Sequence, residues 1–310
     1  MAGCFSVNNM AGLRGITILE GMVNVMGFRS IGDGGGGNFI WDPVSSAEDN
    51  NGTIIKPNKS IGTPPPPGRW IRQFFEEINV RWFGAVGNGV ADDTDAVQHA
   101  WDATKGVYRL IFPTGTYWVK TLTSGSMPSA YLEGIGKVII TSPNSLGNKI
   151  KGYMEGINEI INFTTICGPA SITNMTFQGI STSDAGTVQY SDGTPSATLP
   201  SPFNPAGQDE PYNHRCGIHY QGKDAIICKN VEVYNMPYAG LIIDNGIGQS
   251  LIENSYFHAN GLFNIKVFPG ERISVNDKPK VSAKDKTPTP VYPEIKNGMR
   301  SLKTLRHYHN

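Results

Sequence analysis

The chain has 310 residues with 26 basic and 26 acidic side chains, so it carries no formal net charge at neutral pH. Proteins that bind duplex DNA or an anionic membrane through charge normally carry a clear basic excess, so this balance argues against both kinds of partner. Only 17% of the residues are charged, whereas 37 are glycine and 21 are proline. That composition is typical of many short strands joined by turns.

The stretch SIGDGGGGNFIWD contains the G-x-G-x-x-G spacing of dinucleotide-binding loops between Gly32 and Gly37. Such a loop binds a phosphate only when a strand precedes it and a helix follows it. The preceding residues, VNVMGF, alternate as a strand does, but NFIWD and Pro43 after the glycines are also extended. The pattern therefore predicts a glycine-rich turn between two strands, with no nucleotide and no other cofactor.

Residues 1–77 are predicted to form a small β-rich module. Its end contains four consecutive prolines, Pro64–Pro67, which have no amide donors and so cannot lie inside a sheet. The N-terminal residues lack the basic and apolar regions of a secretory signal, and no apolar run is long enough to span a bilayer. We therefore expect no membrane segment and no signal peptide.

One helix is predicted in residues 78–128. Asp92, Asp93 and Thr94 are residue types that cap helix N-termini, and Gly106 is typical of a helix end. Between them, apolar and small residues recur at helical spacing: Ala96, Val97, Ala100, Trp101 and Thr104. The following run, YRLIFPTGTYWV, has two β-rich parts around a Pro-Thr-Gly turn.

From about residue 130 the sequence changes to short strands that repeat. ITNMTF, CKNVEV and IENSYF share an asparagine followed by a strand, and Asn230 and Asn254 are 24 residues apart. A unit of this size cannot bury its own apolar face, so neighbouring units must stack. The repeat predicts a parallel solenoid over residues 129–270, in which Asn174, Asn230 and Asn254 form a column bonded from coil to coil.

Two segments do not follow this repeat. Residues 181–215, rich in Ser, Thr, Pro and Gly, fill the gap between the first two asparagines and are predicted to be a long surface loop. Residues 271–310 are rich in Lys and Pro, show no strand pattern and are predicted to be irregular. No cap for the open end of the solenoid is recognisable, which indicates either a truncated chain or completion by another subunit.

Two motifs carry a resemblance to a known family. WFGAVGNGVADDTDAVQHAWDA followed by YRLIFPTGTYWV resembles the N-terminal signature of the pectate-lyase superfamily, except that Asn88 stands where that family usually has Asp. Upstream, GFRSIGDGGGGNFIWD and GRWIR resemble the module that precedes this fold in bacteriophage tailspikes and related tail proteins. The resemblance implies a mainly β chain: a β-rich anchor module, a capping helix and a right-handed parallel β-helix.

The resemblance also implies a function. Such a chain would be a homotrimeric virion protein of a phage tail that binds, and often cleaves, a capsular or O-antigen polysaccharide of the host bacterium. Residues 1–77 would attach it to other tail or baseplate proteins. Three alternatives stay open: a tailspike that acts as polysaccharide lyase or glycoside hydrolase, an adhesive tail protein that does not cleave, and a secreted bacterial lyase or hydrolase.

One set of candidate site residues follows from strand alternation. If Val231 points inward, then Glu232, Tyr234, Tyr256 and His258 point outward on two successive coils about 5 Å apart. Hydrolysis of a sugar bond needs carboxylates, and elimination needs a base near the C5 proton of a uronate. Glu232 is therefore a catalytic candidate and the other three are candidates for substrate binding. The alternative interpretation is that all four are ordinary solvated residues of a solenoid.

A second outward set is predicted from aligning GIHY, GLII and NIKV. It comprises His219 as a substrate-binding candidate, Asp244 as a catalytic candidate, and Lys266. Asp209 and Glu210 are further catalytic candidates, because loops that overhang a coil often supply ligand contacts. A solubilising acidic pair is the alternative.

A metal site is not expected. His214, Cys216 and His219 lie close together, but a fourth ligand and a recognised spacing are missing. The cysteines are expected to be buried free thiols.

Overall fold

The computed structural model describes thirteen segments of the chain: residues 4–17, 20–58, 67–141, 159–163, 168–179, 188–189, 195–196, 216–222, 224–236, 239–243, 249–260, 263–267 and 272–275. Within these segments the chain forms 21 strands, two α-helices and one 3₁₀-helix. The prediction of a mainly β fold is therefore confirmed. Neither α-helix of these segments is long and apolar enough to cross a membrane.

The N-terminal module, the part of the chain before residue 77, is built on one sheet. Its strands are β1 (Cys4–Val7), β2 (Met22–Val25), β3 (Gly37–Asp42), β4 (Ile54–Ile55) and β5 (Arg69–Arg72). Their order across the sheet is β1-β2-β3-β5-β4, and every neighbouring pair except β1 with β2 is antiparallel. One face buries Val23, Val25, Phe39, Ile55 and Trp70, whereas Met22 and Ile40 alternate with them on the exposed face.

A short helix, α1 (Met10–Arg14), lies between β1 and β2 and was not predicted. The side chain of Asn9 caps it by accepting a hydrogen bond from the amide of Gly12. Met10 and Leu13 are buried in the core of the module. Five residues are too few to show a helical period in the sequence, so only the strands around it were visible.

The glycine-rich stretch is a turn between two strands, as predicted. β3 begins at Gly37 and pairs antiparallel with β2, so no helix follows the glycines. The carboxylate of Asp33 accepts hydrogen bonds from the amides of Phe28, Arg29, Ser30 and Gly35. Burial alone would raise the pKa of Asp33, but these four hydrogen bonds outweigh it and lower the pKa. The Asp33 side chain thus closes this turn.

The segment after the module leads into the β-helix. It contains β6 (Glu77–Asn79), the 3₁₀-helix (Val80–Phe83), β7 (Asn88–Asp92) and α2 (Thr94–Thr104). α2 is the predicted helix, and it packs on the first strands through four buried residues: Val97, Ala100, Trp101 and Thr104.

Asp93 stands at the N-cap of α2 but does not cap it through its side chain. Its buried carboxylate instead accepts hydrogen bonds from the amides of Val86, at 2.6 Å, and Gly87, at 3.0 Å. Burial raises the pKa of Asp93, and the two amide hydrogen bonds only partly offset this effect. The residue therefore fixes the loop before β7.

Two parallel sheets form the β-helix. The larger contains β6, β7, β8 (Arg109–Trp118), β10 (Ala130–Thr141), β12 (Ala170–Gln178), β16 (Ile226–Tyr234), β18 (Gln249–Glu253), β19 (Tyr256–His258) and β21 (Arg272–Val275). The second contains β9 (Leu122–Thr123), β11 (Glu159–Phe163), β15 (Cys216–Tyr220), β17 (Ala239–Ile243) and β20 (Phe263–Val267). From β8 onward the chain passes repeatedly from one sheet to the other, so it winds in coils. The predicted parallel solenoid is confirmed.

Asparagines mark one corner of the coils. Asn174, Asn230 and Asn254 have left-handed backbone angles, with φ of 56°, 53° and 47°, a conformation that asparagine adopts more readily than most residues. The side-chain amide of Asn230 donates to the side-chain oxygen of Asn174 at 2.9 Å. The predicted column is thus confirmed for this pair.

The C-terminal part of the solenoid differs from its prediction. The expected end of the strand pattern near residue 270 is wrong, because β21 pairs with β18 in parallel and extends the larger sheet by one strand. Ile273 and Val275 alternate along it with the period of the earlier strands, but four residues among many lysines and prolines are too short a run to recognise.

Other predictions lie mostly beyond the segments that the structure describes. In the predicted loop 181–215, only β13 (Val188–Gln189) and β14 (Pro195–Ser196) are described, as a short antiparallel pair. Residues 276–310 and the prolines Pro64–Pro66 fall outside the described segments.

Candidate functional site

Two strands on successive coils carry the candidate site. β16 and β19 are parallel neighbours, with Glu232 opposite Tyr256 and Tyr234 opposite His258. The intervening apolar residues Val231, Val233 and Phe257 are buried in the core. Because successive side chains of a strand point to opposite faces, Glu232, Tyr234, Tyr256 and His258 lie on the outside. We call these four residues the outer-face cluster.

The rings of the cluster are stacked on one another. The ring of Tyr256 lies 4.0 Å from that of His258 between centroids, with 16° between their planes. The ring of Tyr234 lies 5.2 Å from that of His258, with 12° between the planes. His258 is therefore stacked with two phenol rings, and the three together form one aromatic surface that spans two coils.

A carboxylate adjoins this surface. The Oε1 atom of Glu232 lies 3.1 Å from Nε2 of His258, and the two side chains are 42% and 22% exposed. Burial, with a smaller contribution from the negative charge of Glu232, raises the pKa of Tyr234. The Tyr234 phenol consequently keeps its proton near neutral pH and can donate a hydrogen bond.

The same outer face continues on the preceding coil. Thr176 and Gln178 of β12 lie opposite Glu232 and Tyr234, and both are partly exposed. Sequence analysis did not single out these two residues. The alignment of Asn174 with Asn230 contained the necessary signal, because equal distances from the two asparagines place them beside the cluster.

The second predicted set does not form an outward group. His219 is 2% exposed, so the prediction that it faces solvent is wrong. All five residues of β15 and of β17 are buried, as is common for parallel strands covered on both faces. The register also pairs His219 with Ile242, not with Asp244, and Ile242 with Lys266.

Four other predicted residues cannot be placed. Asp209, Glu210 and Asp244 lie outside the described residues, and of Lys266 only the backbone is described. Their proposed roles stay predictions.

The cluster has definite chemical capacities. Aromatic faces bind the apolar C–H faces of sugar rings by burying surface, and an ionised carboxylate accepts hydrogen bonds from hydroxyl groups. The Glu232–His258 pair can also move a proton. Among the described residues the cluster contains one carboxylate, whereas glycoside hydrolysis normally uses two. The cluster thus offers groups that can contact a saccharide and transfer one proton.

Comparison with family models divides the chain into two matches. Residues 6–75 match a model described as phage tail protein small four-stranded beta-sheet domain. Residues 77–287, more than half of the chain, match a model described as rhamnogalacturonase A/epimerase, pectate lyase-like. These matches agree with the resemblance inferred from the two sequence motifs.

A curated relative matches over a short stretch. Plasmin and fibronectin-binding protein A of Streptococcus pneumoniae (strain ATCC BAA-255 / R6) is 39% identical over 75 residues. That stretch is 23% of this chain and 10% of the streptococcal protein.

Comparison with solved structures finds phage tailspike proteins at low sequence identity. The tailspike protein gp49 of Acinetobacter baumannii bacteriophage Fri1, described as a capsular polysaccharide depolymerase, matches with a TM-score of 0.61 and 14% identity over 88% of this chain. The enzymatically active domain of tailspike protein 2 from bacteriophage CBA120 matches with a TM-score of 0.48 and 16% identity over 87% of this chain. The chain spans 46% and 44% of the lengths of these two tailspike chains. The chain belongs to the rhamnogalacturonase A/epimerase, pectate lyase-like family, here preceded by a phage tail protein β-sheet domain.

Proposed function

We propose that this chain is a phage tailspike protein and that its outer-face cluster binds a surface polysaccharide of the host bacterium. The observation that carries the proposal is the stack of Tyr256, His258 and Tyr234 beside Glu232 on two adjacent coils. It offers an apolar platform for sugar rings with a hydrogen-bond acceptor at its edge. The name of the Fri1 protein, a capsular polysaccharide depolymerase, supports this class of ligand.

The same proposal assigns a role to the N-terminal module. Residues 1–77 attach the chain to other tail or baseplate proteins, and the chain assembles as a homotrimer in the virion. The match of residues 6–75 to a phage tail protein domain supports this assignment. Light scattering at micromolar concentration tests the assembly, and a monomer would contradict the trimer.

Binding is tested with capsular and O-antigen polysaccharides from candidate host strains. Tyr256→Ala removes one ring of the stack, and we expect it to weaken binding about tenfold or more, which corresponds to about 1.4 kcal/mol. Tyr131→Ala is the matched control, because Tyr131 is also partly exposed on the larger sheet but lies opposite Ser171, away from the cluster. Equal affinities of the two variants and the wild-type chain would contradict the proposal.

Cleavage of the bound polysaccharide is a second candidate function. The 3.1 Å contact between Glu232 and His258 favours it, since a carboxylate and an imidazole in contact can transfer a proton. The predicted catalytic candidates Asp209, Glu210 and Asp244 would supply any second carboxylate. Formation of new reducing ends or of unsaturated uronates reports hydrolysis or elimination. Glu232→Gln is expected to abolish either product with little loss of binding; binding without either product would leave an adhesive tail protein.

A further inference from the structure

The N-terminal module and the β-helix meet at the 3₁₀-helix and the glycine after it. Phe83 belongs to the core of the β-helix, yet its ring lies against Gly52 of the module, where a Cβ atom would overlap it. On Gly34, a Cβ atom would lie 2.7 Å from Cδ of Arg81, and on Gly35 it would lie 2.6 Å from the Arg81 carbonyl oxygen. We call Gly34, Gly35 and Gly52 the glycine socket, because only residues without side chains leave room for this segment.

A buried arginine joins the two sides of this contact. Arg72 of β5 is 3% exposed, and its guanidinium lies 4.6 Å from the ring of Phe39 in the module and 4.7 Å from the ring of Trp82 in the 3₁₀-helix. Its nitrogens donate to the carbonyl oxygens of Gly35, Gly36 and Gly52. Burial lowers the pKa of Arg72 to about 9. The Arg72 cation thus contacts both the loops that carry the glycine socket and Trp82 of the 3₁₀-helix.

Hydrogen bonds and ring contacts add to this arrangement. Arg29 of the module donates to the carbonyl oxygen of Gly84. At Gly84, whose φ is 96°, a Cβ atom would lie 2.5 Å from the ring of Phe28. Arg81 donates to the carbonyl oxygens of Val86 and Thr114, which lie in the β-helix part of the chain. Contacts of this segment therefore extend into both parts.

We propose that the glycine socket holds residues 80–84 so firmly that the N-terminal module and the first coils form one rigid body. A flexible tether requires none of the features observed: no missing side chains at close approach, no buried cation between two aromatic rings, and no left-handed glycine under a phenylalanine. The consequence is that the module acts as a rigid adaptor. It sets the direction of the β-helix axis relative to whatever the module binds.

Gly52→Ala is the sharpest test, because the backbone of Gly52 does not have a positive φ and the three atoms nearest to the added methyl group all belong to the ring of Phe83. Gly15→Ala is the matched control, because a Cβ atom there would make only ordinary contacts at 3.5 Å. Hydrogen exchange of the amides in residues 80–87 is the readout. We expect exchange about tenfold faster or more in Gly52→Ala and unchanged in Gly15→Ala, with β16 unaffected in both.

A second substitution separates steric exclusion from general damage. Adding Phe83→Ala to Gly52→Ala removes the overlapping ring, and we expect slower exchange in residues 80–87 than in Gly52→Ala alone. Trp82→Leu removes the indole ring that contacts the guanidinium of Arg72. We expect this variant to speed exchange in residues 80–87 even if Gly52→Ala does not fold. Unchanged exchange in Trp82→Leu, or exchange in the wild-type segment as fast as in an unstructured peptide, would overturn the proposal. None of these readouts depends on glycan binding.

Discussion

The N-terminal module and the β-helix use their polar groups in different ways. In the β-helix, three hydrogen bonds from an amide to a side chain span the same interval of 24 residues: Ile226 to Ser250, Val231 to Ser255 and Met236 to Asn260. In the module, Arg14, Arg69 and Arg72 each bond loop oxygens at intervals that do not repeat. In the β-helix, hydrogen bonds of this type thus recur at the interval of one coil, whereas the hydrogen bonds of the three arginines in the module follow no repeat.

The largest expected effect comes from the core of the module. Phe39→Ala removes a fully buried ring that also lies under Arg72, and we expect a loss of about 3–5 kcal/mol in the free energy of unfolding. Phe75→Ala is the matched control, because this ring is 81% exposed, and it should change stability by less than about 0.5 kcal/mol. Chemical denaturation measures both. Similar values for the two variants would show that the module does not depend on this core.

The next largest effect is expected at a carboxylate in the module. Asp49 pairs with Arg14 and accepts hydrogen bonds from the amides of Lys56 and Asn51. Asp49→Asn should lower the free energy of unfolding by about 1–3 kcal/mol, because the substitution removes the charged carboxylate that pairs with Arg14. Thermal unfolding at neutral pH measures the loss.

The same residue predicts the acid sensitivity of the module. Burial alone would raise the pKa of Asp49, but the hydrogen bond and charge of Arg14 and the two amides together lower it. Because the pKa is lower in the folded than in the unfolded state, Asp49 and likewise Asp33 stabilise the fold above the unfolded value of 3.8, and this contribution is lost as the pH falls through the folded pKa. Asp49→Asn should therefore lose less stability on acidification than the wild-type chain. An equal loss in both would contradict the assignment.

An effect of similar size is expected at the asparagine column. Asn230→Ala places an alanine at a φ of 53° and removes the hydrogen bond to Asn174, for a combined cost of about 1–3 kcal/mol. Asn230→Gly keeps the left-handed conformation and should cost less. If both variants unfold alike, the conformational part of the argument is wrong.

The smallest effect is expected at the outer-face cluster. Glu232 is 42% exposed, so Glu232→Gln should change the free energy of unfolding by less than about 1 kcal/mol. Calorimetry of Glu232→Gln, Asn230→Ala and Asn230→Gly checks this order of effects. A large loss would mean that the cluster belongs to the scaffold and not to a binding surface.

The repeating half of the molecule could be predicted from its sequence. The alternation of Val231 and Val233 with Glu232 and Tyr234, and the interval between Asn230 and Asn254, report local geometry that each coil repeats. These patterns led to the parallel solenoid and to the side of the strands on which the cluster lies. The ring stacking around His258 could not be predicted, because side-chain rotations are set by neighbours on the next coil.

The non-repeating features of the structure could not be predicted from the sequence. Nothing near Arg72 in the sequence shows that its guanidinium is buried against Phe39 and Trp82, since Phe39 belongs to another strand and Trp82 to the 3₁₀-helix. The burial of His219 was missed because alternation assumes that one face of a strand is solvated, whereas β15 is buried on both faces. The predicted domain boundaries at residues 77 and 128 stay predictions.

The alternation along β16 and β19 has an evolutionary consequence. Inward residues such as Val233 and Phe257 fill the core, whereas their outward neighbours take no part in it. Mutations can therefore replace the outer side chains one at a time while the coil persists. Under the proposed function, a phage lineage whose host alters its capsule could change recognition on this face without having to evolve a new scaffold.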